Sequence, residues 1–415
     1  MPTLARVAGA ALVALGFALP VRADAPLPRL VVAAGQAAPG GGTFEHFNVE
    51  ALPIVAPINA RGQIAFFASV LRGRSGEGLF LASGARVSRV AAEGDAAPGG
   101  GTLSGFLRHP VPALNDAGVV AFAAAVTGGR TVEGIFLAAQ GRLRAIALTG
   151  SVAPGVASGT FSGLDAPALN NRGDVVFLAS IRRGRETIEA IYLASGRKAR
   201  KIVAQGDAAP AGGTFAGFGP PSMNNRGIVA FAAVVDGPAV PGGLFVSEAG
   251  QIRILAGAGD ETPIGGVFAK FSERLALNDA GTVAFAALLH NAPVSHGVFV
   301  VEDGRLRKVV AAGDAAPESG VFSNFGLWPA LAADGAVAFT ASIDHGSAPL
   351  GIFVATNTGI VRVVAVGDAL AAGGRLASFG LYPVVSVAPT GTLTFSTAPT
   401  ATGEGVEAIF AVNAR

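Results

Sequence analysis

The sequence predicts an all-β protein, a seven-bladed β-propeller with four antiparallel strands per blade. Three observations lead to this prediction: a motif that recurs seven times, strands whose side chains alternate between bulky and small, and chain ends that each carry part of one blade. The composition agrees, with 59 glycines, 25 prolines and 51% hydrophobic residues among 415, because short strands joined by tight turns need many turn residues.

The recurring motif is N-x-x-G-x-V-A-F and its close variants. Its asparagine is present in five copies and lost in two, and the copies begin at Asn59, Asn115, Asn170, Asn224, Asn278, Ala332 and Ala388. The glycines of successive copies lie 54–56 residues apart. A fixed period of this length is typical of architectures in which each repeat is one supersecondary unit. We therefore expect residues 24–415 to form a single domain without a linker.

The second copy shows the order of elements most clearly. A short strand (112–114) precedes the turn at Asn115, and strands follow at 119–126, 134–138 and 142–148, with a link of the type GDAAPGGGTFSGF between copies. In strand 119–126, Val120 and Phe122 point to one face and Ala121 and Ala123 to the other, since strand side chains alternate. We expect the bulky face of each blade to pack on the alanine face of its neighbour, around a closed ring.

The two chain ends complement each other. The last copy ends at 407–415 with a third strand, while residues 29–35, RLVVAAG, match a fourth strand that has no first three. We predict that the N-terminal strand completes the seventh blade, because this removes two unpaired strand edges. An open solenoid is the alternative, but it needs polar capping repeats, which neither end shows.

Residues 1–23 are predicted to be a signal peptide. Arg6 supplies the positive charge, 7–19 the apolar stretch and 21–23 a small-residue cleavage site, so we expect an exported protein, periplasmic or secreted. The apolar stretch is too short for an ordinary membrane span, and we expect no transmembrane segment after cleavage. The chain has no cysteine, which excludes disulfides. Its formal net charge is only +2, and no basic run suggests nucleic-acid binding.

Two sets of repeated polar residues are best explained as turn residues. The motif asparagine is expected to bond backbone amides two or three residues on, and its glycine to adopt positive φ. The link carries a recurring aspartate, at Asp95, Asp207, Asp260, Asp314 and Asp368. This carboxylate suits backbone amides better than calcium, since one carboxylate per copy falls short of the ligands that calcium takes. We expect neither a metal nor a cofactor.

The seven copies resemble bacterial exported tandem-repeat proteins named for the NxxGxxAF motif, the choice-of-anchor tandem repeat family. The resemblance spans all copies, although the last two lack the asparagine. It implies no established activity. The chain also departs from the family name, because no C-terminal sorting signal follows Phe410.

A site is expected where the copies differ, just before the innermost strands. The residues there are Arg108, His109, Asp165, Glu273, Arg274, Trp328 and Tyr382. Links and the loops between second and third strands share this face of a propeller, so we take it as the ligand surface. Trp328, Tyr382, Arg108 and Arg274 are the predicted ligand-binding residues. The alternative is that Trp328 and Tyr382 only plug the channel.

Loops between second and third strands differ too. Copies one to three carry six arginines, and copies five and six carry His290, His296, Asp344 and His345. The histidines and aspartate lack the spacing of a familiar zinc site.

Two classes of function remain open from the sequence. The first is a binding or scaffolding module, acting as a monomer, that recognises a glycan, a protein or a surface polymer. The second is a hydrolase or lyase acting on an extracellular polysaccharide, with Asp165 and Glu273 as an acid/base pair and His109 beside them. A glycosidase needs its two carboxyl groups across one cleft, so carboxylates on opposite sides of the ring would exclude this second class.

Overall fold

The computed structural model describes residues 27–47, 55–106, 111–237, 240–371, 373–380, 383–400, 402–403 and 405–414. The predicted signal peptide (1–23) and the predicted site residues Arg108, His109 and Tyr382 lie outside these ranges. Within them the secondary structure is entirely β, and no helix is long and apolar enough to cross a membrane.

The described strands form seven antiparallel sheets, the blades of a β-propeller, numbered here by their N-x-x-G turns. Blade 1 contains β2 (Thr43–Phe44), β3 (Gln63–Leu71), β4 (Glu77–Ser83) and β5 (Arg86–Ala92). Blade 2 contains β6 (Thr102–Gly105), β7 (Ala113–Leu114), β8 (Val120–Thr127), β9 (Glu133–Ala139) and β10 (Arg142–Leu148). Blade 3 contains β11 (Thr160–Leu169), β12 (Val175–Arg183), β13 (Glu186–Ser195) and β14 (Lys198–Ala204). Blade 4 contains β15 (Thr214–Phe218), β16 (Ser222–Met223), β17 (Val229–Asp236), β18 (Gly242–Glu248) and β19 (Gln251–Gly257).

The remaining strands belong to blades 5 to 7. Blade 5 contains β20 (Val267–Phe271), β21 (Ala276–Leu277), β22 (Val283–His290), β23 (His296–Glu302) and β24 (Arg305–Ala311). Blade 6 contains β25 (Val321–Phe325), β26 (Ala330–Leu331), β27 (Val337–Asp344), β28 (Leu350–Thr356) and β29 (Gly359–Ala365). Blade 7 contains β30 (Val385–Val387), β31 (Thr392–Thr397), β32 (Ala408–Asn413) and β1 (Arg29–Ala33).

The first strand of a blade is longer than the sequence indicated. In blade 2, β6 and β7 both pair with β8, so the TLSG segment that we assigned to the link is the outer half of the first strand. In blade 3 the two halves merge into the single strand β11. In blades 4 to 6 the halves are separated by a few residues, and these short interruptions carry the site residues of blades 5 and 6.

Blades pack bulky face against small face, as predicted. Ala65 and Ala91 of blade 1 lie in one cluster with Phe106, Phe122 and Phe136 of blade 2. Phe122 and Phe136 are cross-strand partners in β8 and β9, with ring centroids 5.8 Å apart. The equivalent pair in blade 5 is also present. Burial of each such side chain contributes about 1.5–3 kcal/mol, so the same contact stabilises every junction of the ring.

The motif asparagine has the predicted turn role and one more. Oδ1 of Asn59 accepts the backbone amides of Arg61 and Gln63, at 3.0 and 2.9 Å, two and four residues on rather than two or three. Its Nδ2 donates to the carbonyl of Asn115 in the next blade, at 2.8 Å. The turn glycines adopt φ of 72–95° in all seven blades, a region that favours glycine. The turns are thereby linked from blade to blade.

The link aspartate also has the predicted turn role. Oδ2 of Asp95 accepts the amide of Ala92 at 2.8 Å, and Oδ1 pairs with Arg89 at 2.9 Å. Asp207, Asp314 and Asp368 repeat both contacts, with Lys201, Lys308 and Arg362 as their cations. These carboxylates are therefore engaged by the backbone and by a cation six residues before them.

The ring is closed by the N-terminal strand. β1 pairs antiparallel with β32, with Leu30 opposite Phe410 and Ala33 opposite Ala408. Val32 is fully buried in the cluster that joins blade 7 to blade 1. The prediction that the first strand completes the seventh blade is confirmed.

Candidate functional site

The links and the loops between second and third strands meet on one face, which we call the upper face. The link ends at Gly101, where a Cβ would collide with the carbonyl of Thr127 at the start of the loop that follows β8. The same close approach occurs between Gly213 and Asp236, Gly266 and Ala292, and Gly320 and Asp344. The prediction that the links and the loops between second and third strands share one face is therefore correct.

Two predicted site residues, one from each of two neighbouring blades, stack at the centre of the upper face. Arg274 lies in the interruption between β20 and β21, and Trp328 in the equivalent interruption of blade 6. The Cζ atom of Arg274 is 5.5 Å from the ring centroid of Trp328, within the range of a cation–π contact. Burial lowers the pKa of Arg274 to about 10, and the charge of Asp165 opposes this shift.

The central channel runs beneath this pair. A cavity of about 290 Å³ is lined by the innermost strands of all seven blades and, at its upper end, by Arg274 and Trp328. Most of its wall is apolar, with side chains such as Leu114, Leu169 and Leu277. At the lower end the wall becomes polar, because the turn asparagines and aspartates face the axis there.

A first cleft, cleft A, lies between blades 5 and 6. Its volume is about 350 Å³, and Trp328 lines one of its walls. Leu288 and Leu327, each 52% exposed, give it an apolar lip. Exposed polar groups surround this lip: Lys270, Glu273 and Asn324. Cleft A thus combines an aromatic surface with hydrogen-bonding groups of both charges.

A second cleft, cleft B, extends across blades 3, 4 and 5 and has a volume of about 640 Å³. Asp165 and Glu273 both line it, together with Glu189. Cleft B shares Lys270, Phe271 and Glu273 with cleft A. The first strand of blade 5 is therefore a common wall of the two clefts. The structure does not place Asp165 and Glu273 on opposite sides of the ring.

Sequence reasoning missed a set of glutamates that join adjacent blades, here called latch glutamates. Each lies three residues before the aromatic residue of a third strand and accepts a backbone amide in or just after the outer half of the first strand of the next blade. Glu77 bonds Phe106 at 3.1 Å, Glu133 bonds Leu164 at 3.0 Å and Glu189 bonds Phe218 at 3.1 Å. Burial raises the pKa of Glu77, although the amide of Phe106 opposes the shift.

The fourth latch glutamate, Glu407, closes the ring. It accepts the amide of Phe47 and lies 3.0 Å from Nδ1 of His46 in blade 1. The signal in the sequence was the recurring E-[GA]-[IL]-[FY], in which the glutamate precedes the third-strand aromatic by three residues.

Blades 4, 5 and 6 lack a latch glutamate. Gly242, His296 and Leu350 occupy the position, and cleft B and cleft A lie against the first two of these residues. At the junction of blades 5 and 6 the amide of Phe325 is bonded by Asn324 instead, at 2.9 Å. Nδ1 of His296 contacts Oγ of Ser295 at 2.7 Å, and Nε2 is buried without a hydrogen-bond partner among the described residues. Clefts also occur at junctions that have a latch, since Glu189 lines cleft B and a cavity of about 430 Å³ is lined by Glu77 and Glu133.

Among the described residues, no three His, Cys, Asp or Glu side chains are grouped so that they could hold a metal ion. The arginines of the loops in blades 1 to 3 are exposed, as expected for the rim of the upper face; they are Arg72, Arg74, Arg130, Arg182, Arg183 and Arg185.

The fold recurs in solved structures of low sequence identity. An oligogalacturonate lyase in complex with manganese matches with a TM-score of 0.51 and 12% identity, over 94% of this chain and 96% of the other. The polysaccharide lyase Uly1 matches with a TM-score of 0.49 and 10% identity, over 95% and 98% of the two chains. PorZ, a surface component of the type-IX secretion system of Porphyromonas gingivalis, has the same TM-score at 11% identity, over 92% of this chain and 48% of its own.

At 12% identity, the likeness to the oligogalacturonate lyase concerns the fold alone. No curated protein sequence matches the chain. A family model does match it, over residues 21–295 and again over 243–414. Because the two matches together span nearly all of the sequence, the chain belongs to this family, a family of unknown function designated DUF7453.

Proposed function

We propose that this protein is an extracytoplasmic binding module that recognises a glycan through cleft A on its upper face. The observation that carries the proposal is the pairing of Trp328 with the exposed polar groups Lys270, Glu273 and Asn324 around one cleft. A sugar ring has an apolar face that packs on an indole, and hydroxyls that bond amides and charged groups at the rim.

The size of the site supports recognition of several sugar units. Cleft A and cleft B have a common wall at Lys270, Phe271 and Glu273. A polymer that occupies both would cross the upper face from blade 3 to blade 6. This support comes from the residues of the two clefts and not from the fold shared with the oligogalacturonate lyase.

A glycan array with the purified protein tests the proposal. We expect the wild type to retain a glycan, and Trp328→Ala and Asn324→Ala to reduce the retained amount about tenfold or more, since each removes a direct contact. Lys198→Ala is the matched control, because Lys198 is exposed at the start of the fourth strand of blade 3 and does not line either cleft. If wild type and Trp328→Ala retain the same amount of glycan, the glycan does not bind in cleft A.

A second candidate function is favoured by one observation, that Asp165 and Glu273 line the same cleft B. Two carboxyl groups across one cleft are the minimum for acid/base cleavage of a glycosidic bond. The test is the release of reducing ends or unsaturated sugars from any glycan that the array identifies. We expect Asp165→Asn and Glu273→Gln to abolish such release while binding is retained. A bound glycan that the wild type leaves intact would exclude this candidate.

Export is proposed from residues 1–23. Fusing these residues to a reporter that is active only outside the cytoplasm should give activity, and replacing apolar residues in 7–19 with aspartates should abolish it.

A further inference from the structure

Arg274 occupies an unusual position for a charged side chain. It lines the central cavity at its upper end, among the apolar side chains of the innermost strands. Trp328 covers it, with the guanidinium 5.5 Å from the indole centroid. The charge therefore lies at the propeller axis rather than on the outer surface.

Among the described residues, this guanidinium has no carboxylate in direct contact. Within the described part of the chain it makes neither a hydrogen bond nor an ion pair, and the indole of Trp328 is its one direct interaction. Asp165 influences Arg274 electrostatically, but no ion pair joins the two side chains. The five N–H donors of an arginine are thus available at the channel mouth.

Two other partly buried cations of this protein are paired with carboxylates. Arg362, 22% exposed in its side chain, pairs with Asp368 at 2.9 Å and with Glu318 at 3.0 Å. Lys201, 26% exposed, pairs with Asp207 at 2.9 Å. Removing a charge from water without pairing it is unfavourable. The lowered pKa of Arg274 reflects this cost in the ligand-free protein.

We propose that Arg274 is the anchor of an anion site at the channel mouth, which accepts the carboxylate or sulfate group of an acidic glycan. This inference rests on the proposed glycan-binding function and specifies the charge of the ligand. Arginine presents a planar fork of donors that matches such oxyanions, and apolar surroundings strengthen the attraction because they screen it less than water does.

The geometry connects this site to cleft A. Trp328 lines both the channel cavity and cleft A. A sugar packed on this indole in cleft A is therefore one side chain away from Arg274. The cavity of about 290 Å³ holds an acidic group with part of its sugar ring, and the rest of the chain would lie in the clefts.

Fluorescence of Trp328 provides the test, because it is the only tryptophan and contacts the guanidinium. The wild type is titrated with three probes: a cello-oligosaccharide, the oligoglucuronate of the same length and sodium sulfate. We expect the oligoglucuronate to change the emission at concentrations at least tenfold lower than the neutral sugar does. We expect Arg274→Gln to remove this preference, and Arg274→Lys to retain part of it.

Arg253→Gln is the matched control, since Arg253 is exposed on the fourth strand of blade 4. It should behave as the wild type. Melting temperature checks folding, and we expect Arg274→Gln to melt no lower than the wild type, because the substitution removes an unpaired charge.

Each outcome separates the two proposals. Equal affinity for neutral and acidic sugars, unchanged in Arg274→Gln, overturns the anion site and leaves glycan binding intact. A response to sulfate that Arg274→Gln abolishes, without any response to either sugar, supports the anion site and overturns glycan binding. The anion site is overturned if Arg274→Gln responds to the oligoglucuronate as the wild type does. It is also overturned if the wild type responds to none of the three probes.

Discussion

The asparagine of each N-x-x-G turn serves two blades at once. In blade 4, Oδ1 of Asn224 accepts the amides of Arg226 and Ile228, and Nδ2 donates to the carbonyl of Asn278 in blade 5 at 2.9 Å. The side chain is 4% exposed, so water cannot replace these bonds. The amide of asparagine places an acceptor oxygen and a donor nitrogen on separate atoms, whereas an ionised aspartate only accepts and a serine hydroxyl has both functions on one atom.

We expect Asn224→Ala to lower the free energy of unfolding by about 2–3 kcal/mol, because three backbone groups lose their partner and two of these bonds are buried. Denaturant titration measures the change. Arg61→Ala is the control, since Arg61 is an exposed residue of the blade 1 turn. A loss at Asn224 no greater than the loss at Arg61 would contradict the structural role of the asparagine.

Asp174 gives a prediction that depends on pH. Burial alone would raise its pKa, but hydrogen bonds from Ser195, Asn170 and Arg172 outweigh burial, and the net pKa is lowered from 3.8. A carboxyl with a lowered pKa in the folded state stabilises the protein above its unfolded pKa, and this contribution is lost as the pH falls through the folded value. We expect Asp174→Asn to be less stable than the wild type at pH 7 by about 1–2 kcal/mol.

The difference between Asp174→Asn and the wild type should decrease as the pH falls below 3.8. Unfolding titrations of both proteins at pH 7, 4 and 3 measure this decrease. A difference that is constant across this range would show that the carboxylate charge makes no contribution.

At the scale of the element, the latch glutamates distinguish two kinds of blade junction. Four junctions have a carboxylate that bonds the neighbouring first strand, and those after blades 4, 5 and 6 do not. Cleft A lies at the junction after blade 5, which lacks a latch. Cleft B extends over the junctions after blades 3 and 4, and only the second of these lacks a latch.

His296→Glu should restore a latch between blades 5 and 6. We expect the new carboxylate to accept the amide of Phe325, as Glu189 accepts that of Phe218. Stability should rise by about 1–2 kcal/mol, and ligand binding in cleft A should weaken because the histidine that lines it is lost. Thermal unfolding and the exchange rate of the Phe325 amide measure the first effect.

The control for His296→Glu is His290→Glu, the same substitution at an exposed position at the end of β22. Slower exchange of the Phe325 amide in His296→Glu alone supports the latch. If neither variant changes this exchange, the latch position of blade 5 has no role in joining the blades.

The same junctions show what a sequence can and cannot predict here. Strand number, turn residues and ring closure follow from local patterns that repeat seven times. Trp328 and Arg274 were found because they interrupt those patterns. The latch glutamates were not predicted, because Glu77 and the Phe106 amide that it bonds are 29 residues apart and meet only when the blades pack. The split first strand was missed because its outer half is only two to five residues long where it forms a separate strand.

At the scale of the whole molecule, one seam joins the two ends of the chain. β1 contributes Val32 and Ala33 to the clusters on both sides of blade 7. Glu407 bonds blade 1 at Phe47, and Oγ1 of Thr394 donates to the carbonyl of Ala56. The seam therefore has apolar packing and hydrogen bonds of its own, like the other junctions.

A chain that starts at Gly35 lacks β1, and we expect it to lose roughly 4–6 kcal/mol of stability, from the burial of Val32 and its neighbours. The edge of β32 would also be exposed, which favours association between molecules. A chain that starts at Pro28 keeps β1 and is the control. Denaturant titration and light scattering measure the two effects.

Adding a peptide with the sequence of residues 28–34 should restore stability to the shortened chain, because an added strand can pair with an open edge. Equal stability of the two shortened chains, with or without the peptide, would contradict the role of β1 in closing the ring.

The pairing of β1 with β32 also determines the order in which this protein can fold. β1 leaves the ribosome more than 370 residues before β32, its hydrogen-bonding partner. Until β32 has been made, RLVVA stays an unpaired apolar strand, which must be kept from aggregation during that time.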